Sequence, residues 1–288
     1  MAANVIKYRT AIILTSVFLI IGALLEGYKS METVGEMSRM TDMTAFLAAL
    51  AAGLCMAGFS YLSLPVSASQ AIMGSVLGIE LISGIPDLSN LYKVVLCWVL
   101  TPVGGMIFTA ALYPLIGNLL ERLLLNIQHR TVFMRVVLVV AGCYGAYSLG
   151  ANNVANMSGV YVGSGLLPPH DGGIVGSLSM ACGVLTYSRE VMHTVGMKIV
   201  ELDGFSAFIS TLSAAVTVHI FTQVVVPVST SQAIVGGVAG IGIIKGSRTI
   251  RKRTLIEIGI GWVSTPISSG VVACLLMRIY IAFSGAGV

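Results

Sequence analysis

The sequence predicts an all-α polytopic membrane protein built from inverted-topology repeats with broken, half-length helices. Three observations carry this. First, hydrophobic residues make up 56% of the 288 residues and charged residues only 10%, where a soluble domain carries about 25% charged residues. Mean hydropathy is +0.93, so the chain cannot cover a water-facing surface and its solvent is largely lipid. Second, residues 65–81 and 227–243, an offset of 162, are identical at 11 of 17 positions. Third, each copy is a polar cluster that opens an apolar run. In an apolar chain, paired polar helix starts in two halves point to a binding site at the interface between repeats.

The elements follow in order. Apolar runs long enough to cross a bilayer, about 20 residues each, fall at 10–27, 44–63, 91–117, 133–149, 171–188, 206–226 and 254–283. Shorter segments at 31–40, 65–82, 150–164, 191–201 and 227–243 read as half-helices or broken helices. Irregular backbone is tolerated at membrane depth only where protein or a wet cavity covers it. Pro65 and Pro227 suit the first turn of a helix. The hydroxyls of Ser67, Ser69, Ser229 and Ser231 suit the capping of free N–H groups.

The repeat extends further. Met31-Glu32-Thr33-Val34-Gly35 matches Met192-His193-Thr194-Val195-Gly196, and Trp98-Val99 with Thr101-Pro102 matches Trp262-Val263 with Thr265-Pro266. The halves are residues 1–120 and 134–288, joined by a polar link at 121–133, and together they form one transmembrane domain. The loop after the second polar motif holds Lys245, Arg248, Arg251, Lys252 and Arg253, whereas its counterpart at 83–90 holds one acid, Asp87. Basic short loops stay cytoplasmic. Equivalent loops then lie on opposite sides, which makes the repeats inverted and the link cytoplasmic. A multi-pass protein of the cell membrane is expected.

Several classes are excluded. The net charge of +4 sits in loops, so it speaks to orientation in the bilayer and not to nucleic acid. The five cysteines are scattered through apolar runs with no CxxC or Cys/His cluster, and they read as small core residues. An enzyme needs a nucleophile with its base or a metal cluster. No HExxH, no GxSxG and no such cluster is present.

The stretch Gly150-Ala151-Asn152-Asn153-Val154-Ala155-Asn156 places three asparagines within five residues at membrane depth, which is costly without a role. Their carbonyls can coordinate Na⁺ and their N–H groups can hold an anion. Helix breaking or interhelical hydrogen bonding is the plainer reading. The cluster Ser229-Thr230-Ser231-Gln232 and its mate Ser67-Ala68-Ser69-Gln70 have the same two readings: donors to an oxyanion, or caps. Two copies in inverted halves favour a site. Glu80 and Glu257 lie near segment ends, where they can snorkel. His219 reads as a hydrogen-bonded core histidine, Lys198 and Glu201 equally as an interfacial ion pair or a gate, and Tyr144, Tyr147 and Tyr161 flank the asparagines.

Gly150–Asn156, Pro227–Gly242 and the Trp262 to Pro266 stretch together resemble the inorganic phosphate transporter (PiT) family, whose signatures are GANDxAN and PVSTTH. Thr194–Leu202 is similar to that family's TIGKKITEL segment. The resemblance covers nearly the whole chain. It implies a symporter that moves phosphate with Na⁺ or H⁺, with Asn152, Asn153 and Asn156 lining the ion and phosphate region. Ser229, Thr230 and Ser231 would donate from one half, and Ser67 and Ser69 from the other. Gln70 and Gln232 stand at the signature's histidine, Asn153 at its aspartate, and Ala68 at a hydroxyl. The site is therefore less ionisable than the family pattern, which suits an oxyanion and leaves the coupling ion open. A sulfate permease of the same fold and a passive anion or solute channel are the alternatives, and a homodimer is expected without a sequence-defined interface. Displaced by 161, the mate of 150–156 falls before Met1. The expectation is a first repeat without its opening motif, through a misassigned start codon or a real truncation.

Overall fold

The computed structural model describes residues 6–36, 40–61, 66–84, 91–123, 127–196, 202–246 and 252–284. Among these residues there are nine α-helices and no strand: α1 (Tyr8–Glu36), α2 (Asp42–Tyr61), α3 (Ala68–Ser83), α4 (Leu91–Leu123), α5 (Ile127–Gly163), α6 (Pro169–Gly196), α7 (Gly204–Gln223), α8 (Thr230–Lys245) and α9 (Lys252–Ser284). Helices α1, α2, α4, α5, α7 and α9 are long and apolar enough to cross a membrane, so this is a multi-pass membrane protein. Helices α3 and α8 have 16 residues each, roughly 24 Å at 1.5 Å per residue. That is short of a hydrocarbon core of about 30 Å.

One expected break is absent. The asparagine stretch is continuous helix in the middle of α5, which has 37 residues. Its polar groups bond sideways to neighbouring helices, so the helix keeps its own ladder. Residues 31–36 extend α1 and residues 191–196 extend α6, while the rest of 31–40 and 191–201, except Met40, lies outside the described residues. The polar link is largely helical too. Residues 121–123 end α4 and residues 127–133 begin α5.

Helix bounds recur along the chain. α3 (68–83) and α8 (230–245) are offset by 162 at both ends, and α4 (91–123) and α9 (252–284) by 161. Packing is exchanged in the same way. α3 lies on α9 and α8 on α4, while α2 lies on α9 and α7 on α4. Both short helices approach a proline-containing helix backbone to backbone. A Cβ on Gly74 of α3 would sit 2.2 Å from the Pro266 carbonyl oxygen, and one on Gly236 of α8 would sit 2.0 Å from that of Pro102. Pro102 and Pro266 interrupt their own ladders, since proline has no N–H to give. Such gaps are tolerated in membrane helices because neighbours and hydroxyls fill in. The carbonyls left over here are those of Trp98 and Trp262, four residues before each proline; the neighbouring hydroxyls of Thr101 and Thr265 add second bonds to the preceding carbonyls, of Cys97 at 2.6 Å and of Gly261.

At the other end of α7, Asp203 is the N-cap. Its carboxylate accepts from the Ser206 N–H at 3.0 Å and from the Ser206 hydroxyl at 2.9 Å, and it pairs with Lys245 at the end of α8. Partial burial pushes the Asp203 carboxyl up, but the bonds from Lys245 and Ser206 outweigh it and hold the group at about 2, below its ordinary 3.8. The folded-state value is depressed, so this contribution is full above about pH 4 and disappears as pH falls through about 2. Both side chains are well exposed, so the ion pair itself is worth at most about 1 kcal/mol. Asp203→Ala is therefore expected to lower stability by about 1–2 kcal/mol, chiefly through the lost cap. Asp203→Asn, which still caps, should cost less than about 1 kcal/mol. Thermal melts of the two purified variants check the order.

Candidate functional site

The site is built where three helices meet: the starts of α3 and α8 and the middle of α5. Ser67 and Ser229 are N-caps with extended backbone, accepting from the Gln70 N–H at 3.3 Å and the Gln232 N–H at 3.4 Å. The helices thus begin at Ala68 and Thr230, three residues after the prolines. Pro227 lies two residues before the Ser229 cap and not in the first turn, where the Ser229 hydroxyl accepts from the Gln232 N–H. Pro65 lies outside the described residues.

The two helix starts touch. Ser69 donates to the Val228 carbonyl at 2.9 Å, next to the Ser229 cap. Asn156 ties α5 to the α3 start, giving its amide N–H groups to Ser69 Oγ at 3.0 Å and to Asn153 Oδ1 at 3.1 Å. Asn153 donates to Thr230 Oγ1 at 3.3 Å. Asn152 holds the chain that leads into α8, since its Oδ1 accepts from the Val228 N–H at 3.0 Å. Its amide donates to the Val226 carbonyl at 3.4 Å and to Thr222 Oγ1 at 3.1 Å. Ser231 lies 2.9 Å from Ser229, hydroxyl to hydroxyl. All ten sequence-predicted residues therefore fall in one region. Ser67, Ser69, Gln70, Asn152, Asn156, Ser229 and Gln232 are buried, and Asn153, Thr230 and Ser231 are half-buried.

The glutamines are the informative members. Ser-x-x-Gln spells a capping box, in which the glutamine reaches back to the N-cap backbone. Only the serine half is made here. Gln70 Oε1 and Gln232 Oε1 are buried without a partner, as is Asn156 Oδ1. Buried polar groups are normally satisfied, so three orphaned amide oxygens around one junction point to a ligand. Carboxamides can accept from it through oxygen or, turned over, donate to it through N–H. No ionisable side chain belongs to this set.

A second polar cluster, which sequence reasoning missed as a unit, lies one stretch of α5 and α7 away. Glu26 on α1 accepts from Tyr147 on α5 and from Gln223 on α7, and pairs with Lys29 at 3.3 Å. His219 Nε2 lies 3.3 Å from each Glu26 oxygen, and its Nδ1 lies 2.7 Å from the Tyr144 hydroxyl. Lys29 also donates to Gln223 Oε1 at 2.7 Å. The expectation of a hydrogen-bonded His219 agrees with this geometry. Glu26 was passed over because it stands alone in an apolar run, and an acid inside a predicted span was the signal that would have found it. Glu257, Lys198, Glu201 and His193 have side chains outside the described residues.

The family profile described as "Phosphate transporter family" matches residues 1–273. A protein of Methanocaldococcus jannaschii named "Putative phosphate permease" is 30% identical over 280 residues, covering 96% of this chain and 88% of its own. The "Sulfate permease CysP" of Bacillus subtilis is 26% identical, covering 97% and 80% respectively. A solved structure titled "The sodium-dependent phosphate transporter" superposes with a TM-score of 0.85 at 20% identity, over 98% of this chain and 92% of that one; the fold is shared. The polar helix starts, the asparagine turn and the all-helical membrane architecture thus have one explanation: this chain belongs to the phosphate transporter family.

Proposed function

We propose that this chain is a secondary active transporter that carries inorganic phosphate across the cell membrane together with Na⁺ or H⁺. Phosphate binds between the starts of α3 and α8. Ser67, Ser69, Gln70, Ser229, Thr230, Ser231 and Gln232 surround it, and Asn152, Asn153 and Asn156 complete the cradle and offer carbonyls to a coupling Na⁺. The observation that carries the reading is the Ser69–Val228 contact at 2.9 Å, which joins two helix starts whose N–H groups and dipoles favour an anion. The orphaned amides of Gln70, Gln232 and Asn156 supply adjustable partners. The name of the similar solved structure supports Na⁺ as the cation.

Residues 1–120 and 134–288 are two copies of one unit, inverted relative to each other. The matching bounds of α3 with α8 and α4 with α9, and their exchanged packing, support this. Transport then consists of one set of helices rocking about the shared cradle.

Radiolabelled phosphate and sulfate uptake into proteoliposomes, with and without a Na⁺ or pH gradient, tests the reading. Gradient-driven phosphate accumulation is expected. Gln232→Glu, which sets a carboxylate against the anion, should lower uptake at least tenfold (about 1.4 kcal/mol or more). Uptake of sulfate in place of phosphate would transfer the site to the other tetrahedral anion. Full uptake by Gln232→Glu would remove the cradle.

A further inference from the structure

The Glu26 cluster lies outside the phosphate cradle, and nothing in the family assignment accounts for it. We propose that His219, held against Glu26, is an intramembrane proton-binding site that couples H⁺ to substrate movement. This rests on the reading of the chain as a symporter and names its coupling ion.

Glu26 lies inside the α1 segment Tyr8–Met31 that is apolar enough to span. Ionisable groups within spanning segments are costly and mark ion paths or proton relays; this one lies five residues from the end of its segment. α1 is packed by α5, α6 and α7, and α7, which carries His219, by α4, α5, α8 and α1; α4 carries Lys93, Glu121 and Arg122 near its two ends, and α8 brings Lys245, paired with Asp203 at the start of α7. α1 itself contributes Lys29, whose ammonium balances the Glu26 carboxylate. α5 contributes Tyr144 and Tyr147, and α7 contributes His219 with the neutral Gln223. Among its described side chains α6 brings His170 and Asp171, which are exposed and paired with each other at 3.3 Å. Among these groups His219 is the one with a ring nitrogen, Nδ1, that can change from accepting to donating against the Tyr144 hydroxyl.

The geometry supports two proton positions. In the neutral ring Nε2–H donates to Glu26, and Nδ1 accepts from the Tyr144 hydroxyl at 2.7 Å. When a proton arrives at Nδ1, the Tyr144 hydroxyl turns and accepts instead, and the new positive charge sits against Glu26. No bond other than N–H is made or broken. His219 is three residues before Thr222, which receives the Asn152 amide at 3.1 Å. Gln223, the next residue, is held by Glu26 and Lys29. The proton site and the cradle thus grip the same end of α7, from which residues 224–229 run into the α8 cap. A cradle without ionisable side chains leaves proton uptake to this neighbouring site.

The test uses the full chain in proteoliposomes and reads radiolabelled phosphate in two modes. One is exchange, at equal phosphate and pH on both sides. The other is accumulation driven by an imposed pH gradient without Na⁺. The wild type is expected to accumulate phosphate against this gradient. Glu26→Gln and His219→Gln should each lower the ratio of accumulation to exchange by roughly tenfold or more, and should flatten the exchange profile between about pH 5.5 and 8. Phosphate ionisation is common to every sample, so the comparison is between proteins. Exchange itself reports that a variant has folded. If a variant shows none, Tyr144→Phe, which removes only the hydroxyl at Nδ1, is read instead. It should shift the midpoint of the exchange profile by about half a pH unit or more, and an unchanged profile overturns the proposal. Wild-type exchange with accumulation driven by Na⁺ alone, or an unaltered ratio in His219→Gln, overturns the proton site and leaves the phosphate reading standing. Absence of phosphate exchange in the wild type overturns both.

Discussion

Gly236→Ala is expected to destabilise the fold by on the order of 3 kcal/mol or more, and Gly74→Ala by a comparable amount. The added methyl on α8 would stand 2.0 Å from the Pro102 carbonyl oxygen, and that on α3 would stand 2.2 Å from the Pro266 oxygen. A flexible side chain could turn away from such an intruder, but a backbone carbonyl moves only with its whole helix. Each substitution therefore pushes a short helix off its proline-containing partner and carries the polar helix start with it. A control separates this from the ordinary effect of glycine. A Cβ on Gly53 or Gly58 of α2 meets nothing within 4 Å, so Gly53→Ala should be neutral or stabilising by up to about 1 kcal/mol, since alanine is the better helix former. Thermal melts in detergent, followed by size-exclusion chromatography, read both. Gly236→Ala melting like Gly53→Ala would mean that α8 does not lie on α4 as described.

What could be foreseen from sequence was whatever a few consecutive residues decide. The Ser67 and Ser229 caps are local chemistry, and so was the shortness of α3 and α8. Continuity through Asn152, Asn153 and Asn156 was not foreseeable in this way. A polar turn that ends a helix and one that bonds sideways from an intact helix have the same composition. Only the positions of Thr222, Val226, Val228, Thr230 and Ser69 distinguish them, and those are set by packing. The Glu26 cluster is the extreme case. Its members on α1, α5 and α7 are as far apart as Glu26 and Gln223, 197 residues. Lateral contact between membrane helices leaves no periodic trace in the sequence. The motif match pointed to the junction of α3, α5 and α8, while of the cluster beside it the sequence offered only one acid in an apolar run, and its partners came from the structure.

Asn152→Ala is expected to abolish phosphate uptake while costing much less in global stability than its effect on transport implies. Asn152 is fully buried, and it brackets a strained stretch. Val225 has φ of 64°, in the left-handed region that a β-branched residue adopts only under constraint, at about 1–3 kcal/mol. Part of the constraint is the close of α7 itself, where the Val225 N–H donates to the Thr222 carbonyl at 3.0 Å and the Val226 N–H to the Phe221 carbonyl at 3.1 Å. The Asn152 amide reaches the Val226 carbonyl and its oxygen receives the Val228 N–H, so one carboxamide fixes the backbone immediately after the strain. Thr222 is already committed as a donor to the Val218 carbonyl at 3.0 Å, so it can take the remaining Asn152 bond only as acceptor, which sets the amide's orientation. With alanine at this position, the Val228 N–H stays buried without its partner at about 1–3 kcal/mol. Val225 keeps its own bond to Thr222, but the chain beyond it is no longer tethered, and the Ser229 cap loses its placement against Ser69. Asn152→Asp should fare no better, because it keeps an acceptor for Val228 but sets a carboxylate oxygen against the Val226 carbonyl. The double variant Asn152→Ala with Val225→Gly discriminates the cause. Glycine accepts positive φ without strain, so the stretch can hold its course with fewer bonds, and uptake should recover in part. Recovery would locate Asn152's role in holding the entry to α8. Uptake that stays at zero while the melt recovers would mean that Asn152 acts on the substrate or its cation directly.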